Sequence, residues 1–236
     1  MSDRELPPPV PSPFTGSVAD YWRVRAEQHT QDTYAGVPIS KFPEDLRVYE
    51  HLLWLAAPQV VIELGSQFGG SALWFRDRLN ALAAYGRVSD PHVIAVDLEI
   101  ERARETLDSH HHPGSLGQID LLGGDVLDPA LPAKVGELVR PGERCLVIED
   151  SAHVYDTTYA ALVGFSSFIP PGGFFIVEDG CVDVEEMRIE PSWPRGVLPA
   201  VGDWLAAEAG SGFQQRRELE LYGLTCHPGG FLQRVS

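Results

Sequence analysis

Five short apolar segments, each ending in an acidic residue, constrain the fold of this chain more than any other feature. They are QVVIELG (59–65), HVIAVDL (92–98), IDLLGGD (119–125), CLVIED (145–150) and GFFIVEDG (173–180). Stretches with a helical pattern, such as GSALWFRDRLNALAAY and IERARETLDSH, lie between most of them. Continuous apolar strands that alternate with helices are typical of a parallel sheet covered on both faces. The sequence therefore predicts a doubly wound α/β fold with a mostly parallel sheet.

The two ends of the chain differ from this alternating region. The last segment, RELELYGLTCHPGGFLQRVS, predicts two short strands around a His-Pro-Gly-Gly turn, and hence an antiparallel hairpin at one sheet edge. Residues 1–16 hold five prolines, which favours coil. Residues 17–35 have a helical pattern with Ser17 as a cap, and residues 46–57 form a second amphipathic pattern that Pro58 ends.

The composition excludes several classes of function. The chain has 34 acidic and 18 basic residues and a formal charge of −16, which opposes binding to nucleic acid or to an anionic membrane. Three scattered cysteines predict neither a disulfide framework nor a zinc site. The polar, proline-rich start does not resemble a signal peptide, and no apolar run approaches the roughly 18 residues of a membrane span. We therefore expect a soluble, cytoplasmic protein without nucleic-acid or membrane partners.

The acids at the ends of the predicted strands point to a ligand site. In an open parallel sheet, the carboxyl ends of the strands line the ligand crevice. A single acid at a strand end can simply cap a helix, but acids at all five ends together favour a site. The six residues are Glu63, Asp97, Asp125, Asp150, Glu178 and Asp179.

The glycine loop after the first of these strands narrows the choice of ligand. Its glycines are Gly65, Gly69 and Gly70, which is not the G-x-G-x-x-G spacing of dinucleotide sites, and no lysine follows as in a P-loop. A pyrophosphate beside several carboxylates is disfavoured, which argues against an NAD-dependent sugar oxidoreductase. A sulfonium cation with a free amino group suits the acidic rim. The sequence therefore predicts S-adenosylmethionine as the cofactor.

Each part of this loop and rim receives a predicted role. Gly65 lets the backbone approach the methionine portion, Asp97 accepts hydrogen bonds from the ribose hydroxyls, and Asp125 accepts from the exocyclic amine of adenine. The alternative is a purely structural turn in which Asp97 acts only as a cap. The other residues that we assign to cofactor binding are Glu63, Ser66, Gly70 and Ser71.

Several segments resemble one known family. GVPISKFPEDLRVYEHLLWLAAPQVVIELGSQFGGSALWF is similar to the opening of the cephalosporin hydroxylase/rhamnosyl O-methyltransferase family, VIEDSAH and PPGGFFIVEDG to its two metal-site segments, and LTCHPGGFLQR to its C-terminal signature. The resemblance spans about residues 36–235. It implies a Rossmann-like class I methyltransferase with a seven-stranded sheet, a small-molecule acceptor with a sugar or aromatic hydroxyl, a role in antibiotic or glycolipid biosynthesis, and a homo-oligomer. We assign residues 1–40 to an N-terminal arm or lid and residues 41–236 to the methyltransferase domain.

Asp150, Glu178 and Asp179 form an oxygen-only cluster of the kind that Mg²⁺ or another hard divalent cation prefers. Neighbouring residues on a regular strand point to opposite faces, so Glu178 and Asp179 can share an ion only where the strand has become loop, which Gly180 makes plausible. Glu149 is a competing candidate, but the family pattern favours Asp150.

Histidines supply the remaining candidates. His153, three residues after Asp150, is the predicted catalytic base, although it can equally orient a ligand or cap a helix. The segment SHHHP (109–113) is better explained as a solvated loop than as a metal site. The family pattern has asparagine more often at His227, which makes an active-site role there doubtful. We expect the loop 190–196 and the N-terminal arm to close over the acceptor.

Two functional hypotheses follow. The first is an S-adenosylmethionine-dependent, metal-dependent O-methyltransferase. The second is a non-catalytic, methyltransferase-like partner of an oxygenase in antibiotic biosynthesis, against which the intact glycine loop, ribose acid and metal acids argue. The sequence leaves the acceptor open.

Overall fold

A computed structural model describes residue 10 and residues 12–110, 116–188 and 190–236. The strands in this part of the chain are β1 (Thr33–Tyr34), β2 (Val37–Pro38), β3 (Val60–Leu64), β4 (His92–Asp97), β5 (Ile119–Gly123), β6 (Cys145–Glu149), β7 (Phe174–Val177), β8 (Phe213–Gln215) and β9 (Phe231–Arg234). Seven of them form one sheet in the order β5-β4-β3-β6-β7-β9-β8. Strands β3 to β7 pair in parallel, and β9 is antiparallel to both β7 and β8. The predicted mostly parallel, seven-stranded sheet with antiparallel C-terminal strands is confirmed.

The helices are α1 (Val18–His29), α2 (Pro43–Ala56), α3 (Gly70–Ala84), α4 (Ile100–His110), α5 (Leu131–Gly136), α6 (Tyr155–Phe165) and α7 (Val197–Ala206). They cover both faces of the sheet. Alternate strand residues face opposite layers, so Val61 packs with residues of α2 and α3, whereas Ile62 packs with residues of α5, α6 and α7. The continuous apolar runs of the sequence are thus buried on both faces.

The first helix is shorter than the sequence predicts. Ser17 caps α1 as expected, because its side chain accepts a hydrogen bond from the Asp20 N–H and the Asp20 carboxylate accepts from the Ser17 N–H. The helix ends at His29 instead of continuing to residue 35. Ala35 and Gly36, with φ values of 50° and 85°, form the turn of the small β1–β2 hairpin. A left-handed turn at this point is incompatible with a helix.

The C-terminal hairpin has a longer connection than predicted. Its first strand is β8, which precedes the RELELYG segment, and residues 216–230 form an irregular connection to β9. The expectation of a strand within residues 217–226 is therefore wrong. The reason lies in α2, where the Asp45 carboxylate accepts hydrogen bonds from Thr225 Oγ1 at 2.5 Å and from the Cys226 N–H at 2.9 Å. These contacts hold residues 225 and 226 of the connection against the helix.

Two further features concern residues singled out in the sequence. His110 is the last residue of α4, and residues 111–115 of the histidine-rich segment lie outside the described residues. No helix in the described ranges is both long enough and apolar enough to cross a membrane.

Candidate active site

A cavity of about 460 Å³ lies at the carboxyl ends of strands β3 to β7. The predicted site residues that line it are Gly65, Ser66, Ser71, Asp97, Asp125, Asp150, His153 and Asp179. Residues at the end of α1 and around β2, including His29, Thr30, Ser40 and Lys41, form another part of the wall. Gly70, Glu63 and Glu178 lie behind the cavity surface rather than on it. The sheet therefore brings the strand-end acids together at one rim, but only four of the six face the cavity.

The glycines of the β3–α3 loop are required by close backbone contacts. A Cβ on Gly65, where φ is +98°, would lie 2.0 Å from the carbonyl oxygen of Asp150. A Cβ on Gly70 would lie 2.0 Å from the carbonyl oxygen of Pro38 in β2. Gly65 thus permits the ends of β3 and β6 to touch, and Gly70 permits the N-terminal hairpin to pack on α3.

Asp97 holds the glycine loop in place. Its Oδ2 accepts hydrogen bonds from the backbone N–H groups of Ser66 at 3.0 Å and Gln67 at 2.9 Å, and its Oδ1 accepts from the Glu99 N–H at 2.8 Å. Asp125 behaves similarly on the next loop, where Oδ1 accepts from the Leu127 N–H at 2.9 Å. Both carboxylates act as caps and also line the cavity, so the structural and ligand-binding interpretations of Asp97 are compatible.

Glu63 is fully buried in β3. Neither of its carboxylate oxygens has a hydrogen-bond partner among the described residues. Burial raises the pKa of the Glu63 carboxyl to about 7, although the nearby charge of Lys41 acts in the opposite direction. A carboxylate placed behind the cavity and without a partner was not expected from the sequence.

Lys41 is the main site residue that the sequence reasoning missed. Its side chain is 2% exposed, and its Nζ donates hydrogen bonds to Asp150 Oδ2 at 2.5 Å and to Glu178 Oε2 at 2.6 Å. The charges of these two acids hold the pKa of Lys41 well above its usual value against the opposing effect of burial. The sequence holds one signal for a buried lysine. Lys41 is one of only two lysines in the chain, and it lies between the apolar residues Ile39 and Phe42.

Glu178 lies in a buried polar cluster formed by α2 and the connection to β9. The Tyr49 hydroxyl donates to Glu178 Oε1 at 2.5 Å, and burial beside this carboxylate raises the pKa of Tyr49 well above its usual value. His227 Nε2 lies 3.6 Å from Asp45 Oδ2 and 3.7 Å from Glu178 Oε2. Burial of Glu178 favours its neutral form, but the charge of Lys41 and the hydrogen bonds from Lys41 and Tyr49 outweigh that effect and lower the pKa of Glu178.

His227 also positions the backbone of the neighbouring acid. Its Nδ1 accepts a hydrogen bond from the Asp179 N–H at 3.1 Å. Asp179 has a φ of 55°, in the left-handed region, two residues after β7 ends at Val177. The strand has therefore become loop at Glu178 and Asp179, which is the condition under which neighbouring side chains can serve one site. Although its role was doubted from the sequence, His227 supports the loop that carries Asp179.

The part of the acid cluster that faces the cavity contains Asp150, His153 and Asp179. His153 Nε2 lies 3.3 Å from Asp179 Oδ2 and 3.8 Å from Asp150 Oδ1. Glu149 points away from the cavity, where it accepts hydrogen bonds from Ser151 and Thr158. The ligand atoms of Asp150, His153 and Asp179 lie within 4.8 Å of one another, as do those of Glu178, Asp179 and His227.

These donor groups fit a divalent cation. Carboxylate oxygens from Asp150 and Asp179 converge at the cavity surface, and the buried Lys41 ammonium shows that the cluster already binds a positive charge. Without a cation the carboxylates would repel one another. Asp150 and Asp179 are therefore suitable ligands with His153 beside both, and Glu178 belongs to a second group that shares Asp179.

The doubly wound sheet and its antiparallel last strands are shared with solved structures of S-adenosylmethionine-dependent methyltransferases. Over residues 27–235 the chain matches the model of the Rhamnosyl O-methyltransferase/CmcI family, and it belongs to that family. This confirms the resemblance inferred from the motifs. The rhamnosyl O-methyltransferase of Mycobacterium bovis is 25% identical over 210 residues, covering 87% of this chain and 79% of that protein. The rhamnosyl O-methyltransferase of Mycobacterium leprae is 26% identical over 208 residues, covering 86% of this chain and 82% of that protein.

Solved structures give the same fold. A CmcI structure containing magnesium and S-adenosylmethionine superposes with a TM-score of 0.64 at 21% identity, covering 98% of this chain and 90% of that one. A TDP-rhamnose 3'-O-methyltransferase of calicheamicin biosynthesis superposes with a TM-score of 0.52 at 21% identity, covering 81% of this chain and 76% of that one.

Proposed function

We propose that this protein is an S-adenosylmethionine-dependent, divalent-metal-dependent O-methyltransferase that acts on a hydroxyl of a small molecule in specialised-metabolite biosynthesis. The observation that carries the proposal is a single cavity with two chemically different ends. The donor half contains the glycine loop, Asp97 and Asp125, and the acceptor half contains Asp150, His153 and Asp179. Methyl transfer requires donor and acceptor to be aligned in one space, which such a cavity provides.

The donor half suits a cationic methyl donor. Asp97 and Asp125 place negative charge at the cavity wall, and each retains carboxylate lone pairs beyond those used by backbone N–H groups. Asp97 is the residue that we expect to bind the ribose hydroxyls, and Asp125 the adenine amine. Ser66 contributes a buried hydroxyl without a hydrogen-bond partner among the described residues, which is available to a ligand.

The acceptor half supplies the proton transfer. His153 Nε2 takes the proton of the acceptor hydroxyl, and the carboxylates of Asp150 and Asp179 stabilise the resulting imidazolium. The hydroxyl oxygen forms the new bond to the methyl carbon, and the carbon–sulfur bond breaks with its electron pair remaining on sulfur. Asp150, Glu178 and Asp179 would hold the divalent ion, which would bind the acceptor hydroxyl and lower its pKa.

The names of the relatives favour a sugar hydroxyl as the acceptor. The curated relatives are rhamnosyl O-methyltransferases, and one structural neighbour acts on TDP-rhamnose. In this chain, the end of α1 and the β2 region form one wall of the cavity. We infer that this N-terminal segment helps to select the acceptor.

Calorimetry and a transfer assay test the proposal. Purified protein should bind S-adenosylmethionine and S-adenosylhomocysteine, and it should transfer a labelled methyl group to a panel of rhamnosides and catechols with a gain of about 14 daltons in the product. Asp179→Asn should abolish methyl transfer but retain S-adenosylhomocysteine binding. Adding a chelator to the unmodified protein should likewise abolish transfer and leave S-adenosylhomocysteine binding intact. Absence of binding to both cofactor forms would refute the proposal. Binding without transfer to any acceptor would instead favour the oxygenase-partner hypothesis.

A further inference from the structure

Lys41 forms ion pairs with two of the carboxylates that we assign to the divalent ion, those of Asp150 and Glu178. Its Nζ bridges Asp150 Oδ2 and Glu178 Oε2, and its side chain is almost completely buried. An ion bound through those oxygens would lie against the ammonium, and like charges at contact distance in a buried site repel strongly. Lys41 and the metal would therefore compete for these two oxygens.

Glu63 offers Lys41 an alternative partner. It lies on β3, the strand next to β6, and the backbone of that strand contacts the start of the Asp150 loop through the Asp150 N–H and Leu64 carbonyl. Both Glu63 oxygens are buried and accept no hydrogen bond of standard geometry among the described residues, and Lys41 and Ser71 are the nearby groups that favour its ionised form. A buried carboxylate without a partner is unusual, and a nearby ammonium would satisfy it.

We propose that Lys41 is an internal cation that competes with the divalent ion for Asp150 and Glu178 and pairs with Glu63 when the ion binds. The inference rests on the metal dependence proposed above. Lys41 compensates the acid cluster when no ion is bound, because it keeps Asp150 and Glu178 from repelling each other. The same contact weakens metal binding, since the ion must displace the ammonium.

Mn²⁺ binding followed by electron paramagnetic resonance tests the competition. Lys41→Met should bind Mn²⁺ roughly tenfold more tightly or better than the unmodified protein, because a positive charge has left the site. Lys134→Met is the matched control: Lys134 pairs with Asp128 on the surface, and its removal should leave Mn²⁺ affinity unchanged. Equal or weaker binding by Lys41→Met would overturn the inference. Absence of Mn²⁺ binding by the unmodified protein would refute the metal dependence itself.

Stability gives a second measurement that does not depend on activity. Lys41→Met leaves Asp150 and Glu178 without a cation, so its melting temperature should fall, and Mn²⁺ should raise that temperature more than in the unmodified protein. If the variant does not fold without metal, refolding in Mn²⁺ should recover it. Failure of Mn²⁺ to recover or preferentially stabilise the variant contradicts the inference.

A double-mutant cycle tests the role of Glu63. Glu63→Gln should weaken Mn²⁺ binding when Lys41 is present, because the displaced ammonium then has no carboxylate to receive it. In the Lys41→Met background, Glu63→Gln should have little effect. An equal loss in both backgrounds would show that Glu63 acts through its own charge and would overturn this part of the inference.

Discussion

The two halves of the cavity hold their acidic side chains in different ways. In the donor half, the carboxylate of Asp97 is bound by backbone N–H groups of the glycine loop and of Glu99, and that of Asp125 by the Leu127 N–H. These partners are backbone groups of the strand-end loops themselves. The donor half is therefore built from the turns of the sheet.

In the acceptor half, side chains from distant parts of the chain bind the acids. Lys41 precedes Glu178 by 137 residues and Tyr49 precedes it by 129, yet both hydrogen-bond to its carboxylate. His227, 48 residues after Asp179, accepts the Asp179 N–H. The acceptor half therefore depends on the docking of α2 and the C-terminal connection. We expect it to be the half that distant substitutions disturb most.

The largest expected effect comes from the point where the two halves touch. Gly65→Ala places a Cβ 2.0 Å from the Asp150 carbonyl oxygen at a residue with φ of +98°. Left-handed strain and overpacking together should lower the free energy of unfolding by about 4 kcal/mol in a urea titration. Gly86→Ala, at φ +69° with nothing within 4 Å of the added Cβ, should cost only about 1 kcal/mol. Equal costs would show that the halves can separate without penalty.

Glu63 is fully buried behind the cavity, and its titration should change the free energy of unfolding by about 3 kcal/mol. Burial raises its pKa from 4.5 to about 7. The folded state then holds this proton more tightly than the unfolded state, so this contribution to stability is present below pH 4.5 and is lost as the pH rises through about 7. Glu63→Gln removes the effect, and its stability relative to the unmodified protein should increase over this pH range. Parallel pH profiles of the two proteins would contradict the prediction.

Tyr49→Phe tests the side-chain support of the acceptor half. It removes the hydrogen bond to the buried Glu178 carboxylate and should lower the free energy of unfolding by about 2 kcal/mol. Tyr155→Phe is a matched control, because the Tyr155 hydroxyl donates to Asp203 at 2.9 Å on an exposed surface. Its cost should stay below about 0.5 kcal/mol. Similar costs for both variants would indicate that Glu178 does not depend on Tyr49.

The contrast between the halves also explains what the sequence could predict. Strand identity, the parallel sheet and the acids at its rim follow from the alternation of apolar segments and helical patterns, because each signal is local. The contacts of Asp97 with the Glu99 N–H and of Asp125 with the Leu127 N–H belong to the same category, since an acid at a strand end commonly caps the next turn.

The acceptor half carries no such local signal. Asp45 and Tyr49 lie four residues apart and so share one face of α2, but nothing near them in the sequence indicates that this face meets residues 225–227 and Glu178. The ammonium of Lys41 reaches the acids only after the segment before α2 packs over the carboxyl ends of β6 and β7. The expected strand in residues 217–226 was wrong for the same reason, because α2 binds that segment.

Asp97→Asn has the smallest expected effect and tests how backbone N–H groups hold the donor half. An asparagine retains one acceptor oxygen, so it can serve either the Ser66 and Gln67 N–H groups or the Glu99 N–H, whereas its amide group would face the other donor. The free energy of unfolding should fall by about 1 kcal/mol, and S-adenosylhomocysteine affinity measured by calorimetry should fall with it. Asp125→Asn is the matched control. An asparagine at this position can still accept the Leu127 N–H with its remaining oxygen, so the free energy of unfolding should change by less than about 0.5 kcal/mol. A loss of affinity in Asp97→Asn at unchanged stability would mean that this carboxylate acts on the ligand alone. The glycine loop would then keep its conformation without the Asp97 carboxylate. The glycines and the backbone contacts of β3 would be sufficient to form the donor half.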